Sequence, residues 1–179
     1  ESTLPAAVDR IRRLAAAAPE ANADLQRLID TRRAGYAPGK SDPARGAAVF
    51  AQTCAVCHKI EGTGNLVGPQ LDGIGNRGID RLCEDILDPN RNVDHAFRTH
   101  LIVQTDGEVV SGLPRREEGD SLVLANSAGQ EFVVSKKSIK ERRESANSLM
   151  PENFGEILSP ADFNHLLAFL MSQAARARQ

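Results

Sequence analysis

The chain has no tryptophan, one tyrosine and six phenylalanines, so aromatic residues fill only 4% of its 179 positions. Large rings are a main filling of protein cores, and their scarcity leaves the interior short of bulk. No apolar run approaches the ~18 residues that mark a membrane-spanning helix. Neither sign of charge dominates: 22 basic residues oppose 24 acidic ones, for a formal net charge of −2. A nucleic-acid partner calls for a concentrated basic face, so that class is set aside. The first residues, Glu1-Ser2-Thr3-Leu4-Pro5, do not resemble a signal peptide. A start without Met reads as a processed product or a piece of a longer polypeptide. What is present, 41% hydrophobic and 26% charged residues, is the balance of an ordinary soluble globular protein. The length fits one domain with an extension or an inserted module.

Helical spacing organises the first forty residues. Leu4, Val8, Ile11 and Leu14, then Leu25, Leu28 and Ile29, recur on one face around Pro19. The segment closes in the linker-like Gly35-Tyr36-Ala37-Pro38-Gly39. Residues 1–40 are therefore expected to be a helical extension, either packed on the main domain or the end of an upstream helical domain. A second helix is announced by Asp42 as N-cap and Pro43 at the first helical position, and it runs into Cys54-Ala55-Val56-Cys57-His58. Seven residues of Gly or Pro between Gly62 and Gly78 then dictate an irregular loop. Ile79, Leu82, Cys83, Ile86 and Leu87 form the stripe of a short amphipathic helix that stops before Pro89.

From about residue 97 to 135 the period changes. Thr99–Val103, Glu108–Val110, Ser121–Leu124 and Glu131–Val134 are short β-like runs, with Asp106-Gly107 and Ala128-Gly129 as turns. A small antiparallel sheet inserted into a mainly α domain is the expectation. The last helix starts at Ser159, with Asp162 reaching back to it and Leu158 and Phe163 as a hydrophobic staple. Its stripe is Phe163, Leu166, Leu167, Leu170 and Met171.

Cys54-x-x-Cys57-His58 carries the chemistry. Two thiols three positions apart on one turn can each add to a haem vinyl group, while the adjacent imidazole comes under the iron. A thioredoxin-like redox pair would want a preceding strand in a βαβ unit. A zinc site would want a second pair of ligands at short spacing, and Cys83, His95, His100 and His165 do not provide one. One covalent haem c is thus expected, and a buried porphyrin would supply the missing bulk. For the sixth ligand the candidates are Met150, Met171, His95, His100, His165 and Cys83. Met150, in Ser148-Leu149-Met150-Pro151, stands outside any periodic element beside a restraining proline. Met171 and His165 lie on the last helix, where core or surface roles account for them. Cys83, on the apolar face of its short helix, reads as a buried hydrophobe but stays an alternative ligand, as do His95 and His100. His100 falls in a strand pattern and His95 just before it. Asn76 and Arg77, in the Gly-rich loop, either meet haem propionates or form a solvated turn.

These residues resemble class I c-type cytochromes: a helix entering Cys54-x-x-Cys57-His58, then Gly68-Pro69-x-Leu71, a later Met-Pro and a C-terminal helix. The likeness covers residues 42–90 and 145–172. It implies that the first and last helices cross, pairing Gly46 and Phe50 with Leu167-Ala168-Phe169-Leu170. It also implies that the Pro69 carbonyl accepts from His58 Nδ1, orienting the ring. Ile86-Leu87-Asp88-Pro89, Thr105-Asp106-Gly107 and Ser148-Leu149-Met150-Pro151 are similar to the haem-binding domain of planctomycete and verrucomicrobial type, found at the end of large exported dehydrogenase-like proteins. The fold expected is thus a class I cytochrome c fold over residues 41–179, with its β insertion and N-terminal helical extension.

By the same resemblance the function is one-electron transfer with His58 and Met150 as axial ligands and no catalysis of its own. The partners implied are a fused or docking dehydrogenase as donor and a cytochrome or oxidase as acceptor, in the periplasm or an equivalent compartment. The competing expectation is a ligand-binding or peroxidase-like haem with His95 or His100 as a polar distal group.

Overall fold

The structure, a computed structural model, describes residues 21–174; Leu4, Val8, Ile11 and Leu14 lie outside the described residues. Residues 21–34 are helical (α1) and end at Gly35. Ile29 on this helix is fully buried in the same core as Phe50, Leu87 and Leu167. Arg32, one turn on, is buried as well. Its guanidinium donates to the carbonyls of Gly155 (2.9 Å) and Leu158 (3.0 Å) and lies over the Phe163 ring.

Helix α2 runs over Pro43–Thr53, and Asp42 caps it by accepting from the N–H of Ala44. Helix α3 covers Gly78–Leu87 and buries Leu82, Cys83, Ile86 and Leu87 along the expected stripe. A short α4, Phe154–Ile157, leads to α5, Pro160–Ser172. Ser159 caps α5, while Leu158 and Phe163 are both buried in the core across its start. Helices α2 and α5 cross in van der Waals contact. A Cβ on Gly46 would stand 1.9 Å from the carbonyl oxygen of His165 and 2.7 Å from Cβ of Phe169, so only glycine fits the crossing. One turn further on, the Phe50 and Phe169 rings meet at 5.5 Å.

Between α2 and α3 the glycine-rich loop holds a two-strand hairpin, β1 (Lys59–Ile60) and β2 (Thr63–Gly64), and a 3-10 turn at Ile74–Arg77. Glu61 and Gly62, with φ of 46° and 85°, form its turn, the geometry that matches strand twist in two-residue hairpins.

The insertion is larger than its sequence pattern indicated. Five strands, β3 (His100–Gln104), β4 (Val109–Glu118), β5 (Ser121–Ala125), β6 (Glu131–Ser135) and β7 (Ile139–Glu144), form one antiparallel sheet in the order β6-β5-β4-β3-β7. The molecule is therefore a mixture of helices and a substantial sheet rather than a mainly α protein, and the sheet ends at Glu144 instead of near residue 135. β7 escaped notice because Ile139-Lys140-Glu141-Arg142-Arg143-Glu144 has one apolar residue and pairs only with β3, at the edge. The charged second half of β4 did so because it follows Pro114, a residue tolerated here beside a β-bulge.

Strands β6 and β7 occupy opposite ends of that order but are joined by only Lys136–Ser138. Four interstrand gaps would separate them by roughly 19 Å in a flat sheet. Four Cα steps reach about 14 Å at most. The sheet must curl toward a barrel, and Ile102, Leu122, Leu124 and Val134 fill its interior as a core separate from that of the helices. A third cluster joins the two: Val67, Leu113 and Ala125 are buried together, with Cys57, Phe97 and Leu149 packed against them.

Candidate haem site

The segment after α2 stays tightly wound. Cys54 N–H donates to Phe50 O (2.8 Å), and both Cys57 and His58 N–H groups donate back to Cys54 O (3.0 and 2.9 Å). This turn aims Cys54, Cys57 and His58 into one cavity of ≈370 Å³, a volume within the range of small-molecule and cofactor sites. Neither thiol is joined in a disulfide among the described residues. Burial pushes each of them up from the ordinary thiol range, with the Thr53 hydroxyl opposing this at Cys54.

His58 is oriented by what surrounds it. Its Nδ1 lies 2.9 Å from the carbonyl oxygen of Pro69. A carbonyl can only accept, so Nδ1 carries the proton and Nε2 keeps its lone pair. Burial lowers the imidazole's pKa, against the opposing effect of the Pro69 bond, and so favours the neutral ring that a metal ligand requires. The loop is pinned beneath it: the N–H groups of Val67 and Gly68 both donate to Cys57 O. Gly68 leaves room for the ring, because a Cβ there would stand 2.7 Å from His58 Cε1.

The same cavity is lined by Leu149, Met150, Pro151 and Phe154, with Leu82, Ile86 and Leu170 from α3 and α5. Met150 thus faces the same space as His58 although 92 positions separate them in the chain. The long gap closes on itself: Thr99 O accepts from Ser145 N–H at 2.8 Å, and Thr99 N–H donates to Asn147 O at 2.8 Å. The sheet therefore leaves and rejoins the helical body at one place, and the Met150 loop begins beside the point of departure.

The sheet also forms part of the wall. Leu113 of β4 and Ser127 of the β5–β6 turn line the cavity. Arg115, the bulged residue of β4, donates to the carbonyls of Val67 (2.9 Å) and Leu66, the stretch just before Gly68. Nothing in the sequence pattern singled out Arg115, since a lone arginine in a charged run carries no signal of its partner.

The other candidates lie elsewhere. Cys83 is fully buried in the helical core and is absent from the cavity wall. His95 is exposed, with Nδ1 2.8 Å from Glu144, and His100 accepts from Arg142 Nε at 2.8 Å in the sheet. His165 accepts from the Asp42 N–H at 2.9 Å, tying α5 to the start of α2. Met171 packs against the helical core. Of the two loop residues, Arg77 lines the cavity and pairs with Asp85 at 2.5 Å, whereas Asn76 is exposed on the 3-10 turn outside the wall.

Among the described residues no group of three or more His, Cys, Asp or Glu side chains is placed to hold a metal ion by itself. The donor set of the cavity, two thiols, one imidazole with a free Nε2 and one thioether in an apolar wall, fits a covalently attached haem. Its oriented histidine and flanking thiols come from the stretch that a family comparison recognises: residues 43–99, from the start of α2 to the foot of the sheet, match the family model for cytochrome c, which supports a c-type cytochrome here.

Proposed function

We propose that the chain is a one-electron carrier with a single haem c, attached through Cys54 and Cys57 and held axially by His58 and Met150. The observation that carries this reading is that His58 and Met150 line one largely apolar cavity together with both thiols. Bound haem supplies an iron that cycles between Fe(III) and Fe(II). The protein's part is to hold that iron with little rearrangement. His58 is fixed by Pro69 and Gly68, and the Met150 thioether, a soft donor, favours the ferrous state. Leu82, Ile86, Leu149 and Phe154 keep water from the surroundings, and Arg77 stands at the wall as a cation able to face a propionate.

A gas-sensing or peroxidase-like site would want a polar distal group, and His95 and His100 are engaged with Glu144 and Arg142 away from the cavity. Electron transfer is therefore the better reading. The donor we infer is a fused or docking dehydrogenase and the acceptor a cytochrome or oxidase, in the periplasm or an equivalent compartment. The planctomycete and verrucomicrobial haem-binding domain is the subtype whose motifs the chain shares. No helix of the described residues is long and apolar enough to cross a membrane.

Absorption spectra of the oxidised holoprotein test the ligand set. The weak near-infrared charge-transfer band of thioether-to-ferric-iron ligation should be present, and Met150→Ala should abolish it while covalent haem is retained. A parent spectrum without that band, high-spin in character, would sink Met150 as a ligand.

A further inference from the structure

We propose that Asn90 and Thr99 are positioning residues that clamp the Met150 loop from two sides and thereby set how firmly the thioether closes the haem site. This rests on the His58/Met150 reading above. Asn90 follows Pro89 at the end of α3. Its Oδ1 accepts from Ser148 N–H at 2.8 Å and its Nδ2 donates to the Glu152 carboxylate. One side chain thus holds the backbone two residues before Met150 and a side chain two residues after it.

Thr99 acts from the foot of the sheet. It is buried, and its N–H and its hydroxyl both donate to Asn147 O, at 2.8 and 3.0 Å. Its carbonyl accepts from Ser145 N–H. Between the clamps the loop is cross-linked internally, with Asn147 N–H on Ser145 Oγ and Met150 N–H on Ser148 Oγ, both at 3.1 Å. A loop outside regular structure has few other means of holding its shape.

The position of Met150 shows what such clamping controls. Besides the cavity, Met150 lines an open polar groove of ≈590 Å³ shared with Asn90, Asn147, Glu152 and Asn153. Met150, together with its neighbours Ser148 and Pro151, therefore stands between the haem cavity and the groove. If the loop opens, Met150 can move into the groove and leave its place to an external ligand. The affinity for that ligand is reduced by the fraction of time the loop is closed, so each clamp that stabilises the closed loop lowers it.

The test is spectrophotometric titration of the oxidised holoprotein, the whole 179-residue chain, with imidazole, in the parent and in Asn90→Ala, Asn90→Asp and Thr99→Val, alongside urea unfolding. Asn90→Ala should bind imidazole at least tenfold more tightly and show a weakened near-infrared band. Asn90→Asp, which keeps the acceptor for Ser148 N–H but sets a carboxylate against Glu152, should fall between it and the parent. Thr99→Val, which keeps the N–H and shape but loses the hydroxyl, should gain a few-fold. Unchanged imidazole affinity in both Asn90→Ala and Thr99→Val overturns the proposal, even if the urea midpoint falls, because that combination marks a merely structural role. A parent lacking the near-infrared band overturns the His58/Met150 reading itself, and the clamp with it. Should Asn90→Ala not fold, Thr99→Val and Asn90→Asp decide.

Discussion

At the scale of single residues, the site depends on small groups placed against one another with no spare room. Gly68→Ala sets a Cβ 2.7 Å from His58 Cε1, so the ring must tilt and its 2.9 Å bond to Pro69 must lengthen. The variant should mature with less covalent haem and show displaced His58 ring resonances in NMR; normal yield and unmoved resonances would show that the loop yields freely. Cys83 is fully buried, and burial, with Asp80 adding to it and Arg33 opposing, pushes its thiol up to about 11. It should resist alkylation at pH 8 in the native holoprotein and react only on unfolding, as read by mass spectrometry. Asp72 accepts from the Glu61 N–H at 2.7 Å and from Gln70, and the first of these bonds is the main reason its carboxyl lies below the usual aspartate range. A folded value below the unfolded one means stability that is complete above the ordinary aspartate range and lost as pH falls through the depressed value. Melting temperatures of the parent between pH 6 and 2.5 should therefore contain a decline that Asp72→Asn lacks.

At the scale of elements, the crossing of α2 and α5 and the curling of the sheet decide where the site's parts lie. Gly46→Ala would drive a methyl to 1.9 Å from a backbone oxygen, which no side-chain rotation relieves. It should cost about 3 kcal/mol or more, the upper part of the overpacking range, measurable as a lower urea midpoint. Sequence reasoning found both helices, their caps and the staple, because caps and apolar stripes are local signals. It stopped short of β7 because an edge strand of alternating charges has no apolar face to reveal it. It likewise had no access to the β-bulge that turns Arg115 toward the haem loop.

At the scale of the whole molecule, two cores meet at a third small one, and the sheet is tied to the helical body where Thr99 faces Ser145 and Asn147. Replacing residues 100–144 by an Asn-Gly turn should therefore leave Met150 within reach of the site. The shortened chain should still attach haem. It should be less stable, because Val67, Phe97 and Leu149 lose their partners Leu113 and Ala125. Loss of haem attachment would instead make the sheet part of the folding core of the haem site.

The division between what sequence determined and what folding decided follows from the range of the interactions. Cys54, Cys57 and His58 are legible because their chemistry needs neighbouring positions on one turn, whereas Gly68-Pro69 are singled out only by the family resemblance, and the close approach at Gly68 emerges only in the folded chain. The places of Asn90, Thr99 and Arg115 are not legible, since their partners at 148 and 152, at 145 and 147, and at 66 and 67 are reached only once the chain has closed on itself. Met150 stands between the two cases: its type and its proline neighbour nominate it, but only the hydrogen-bonded closure at Thr99 brings it to the cavity that His58 also lines, because no local force spans the intervening sheet.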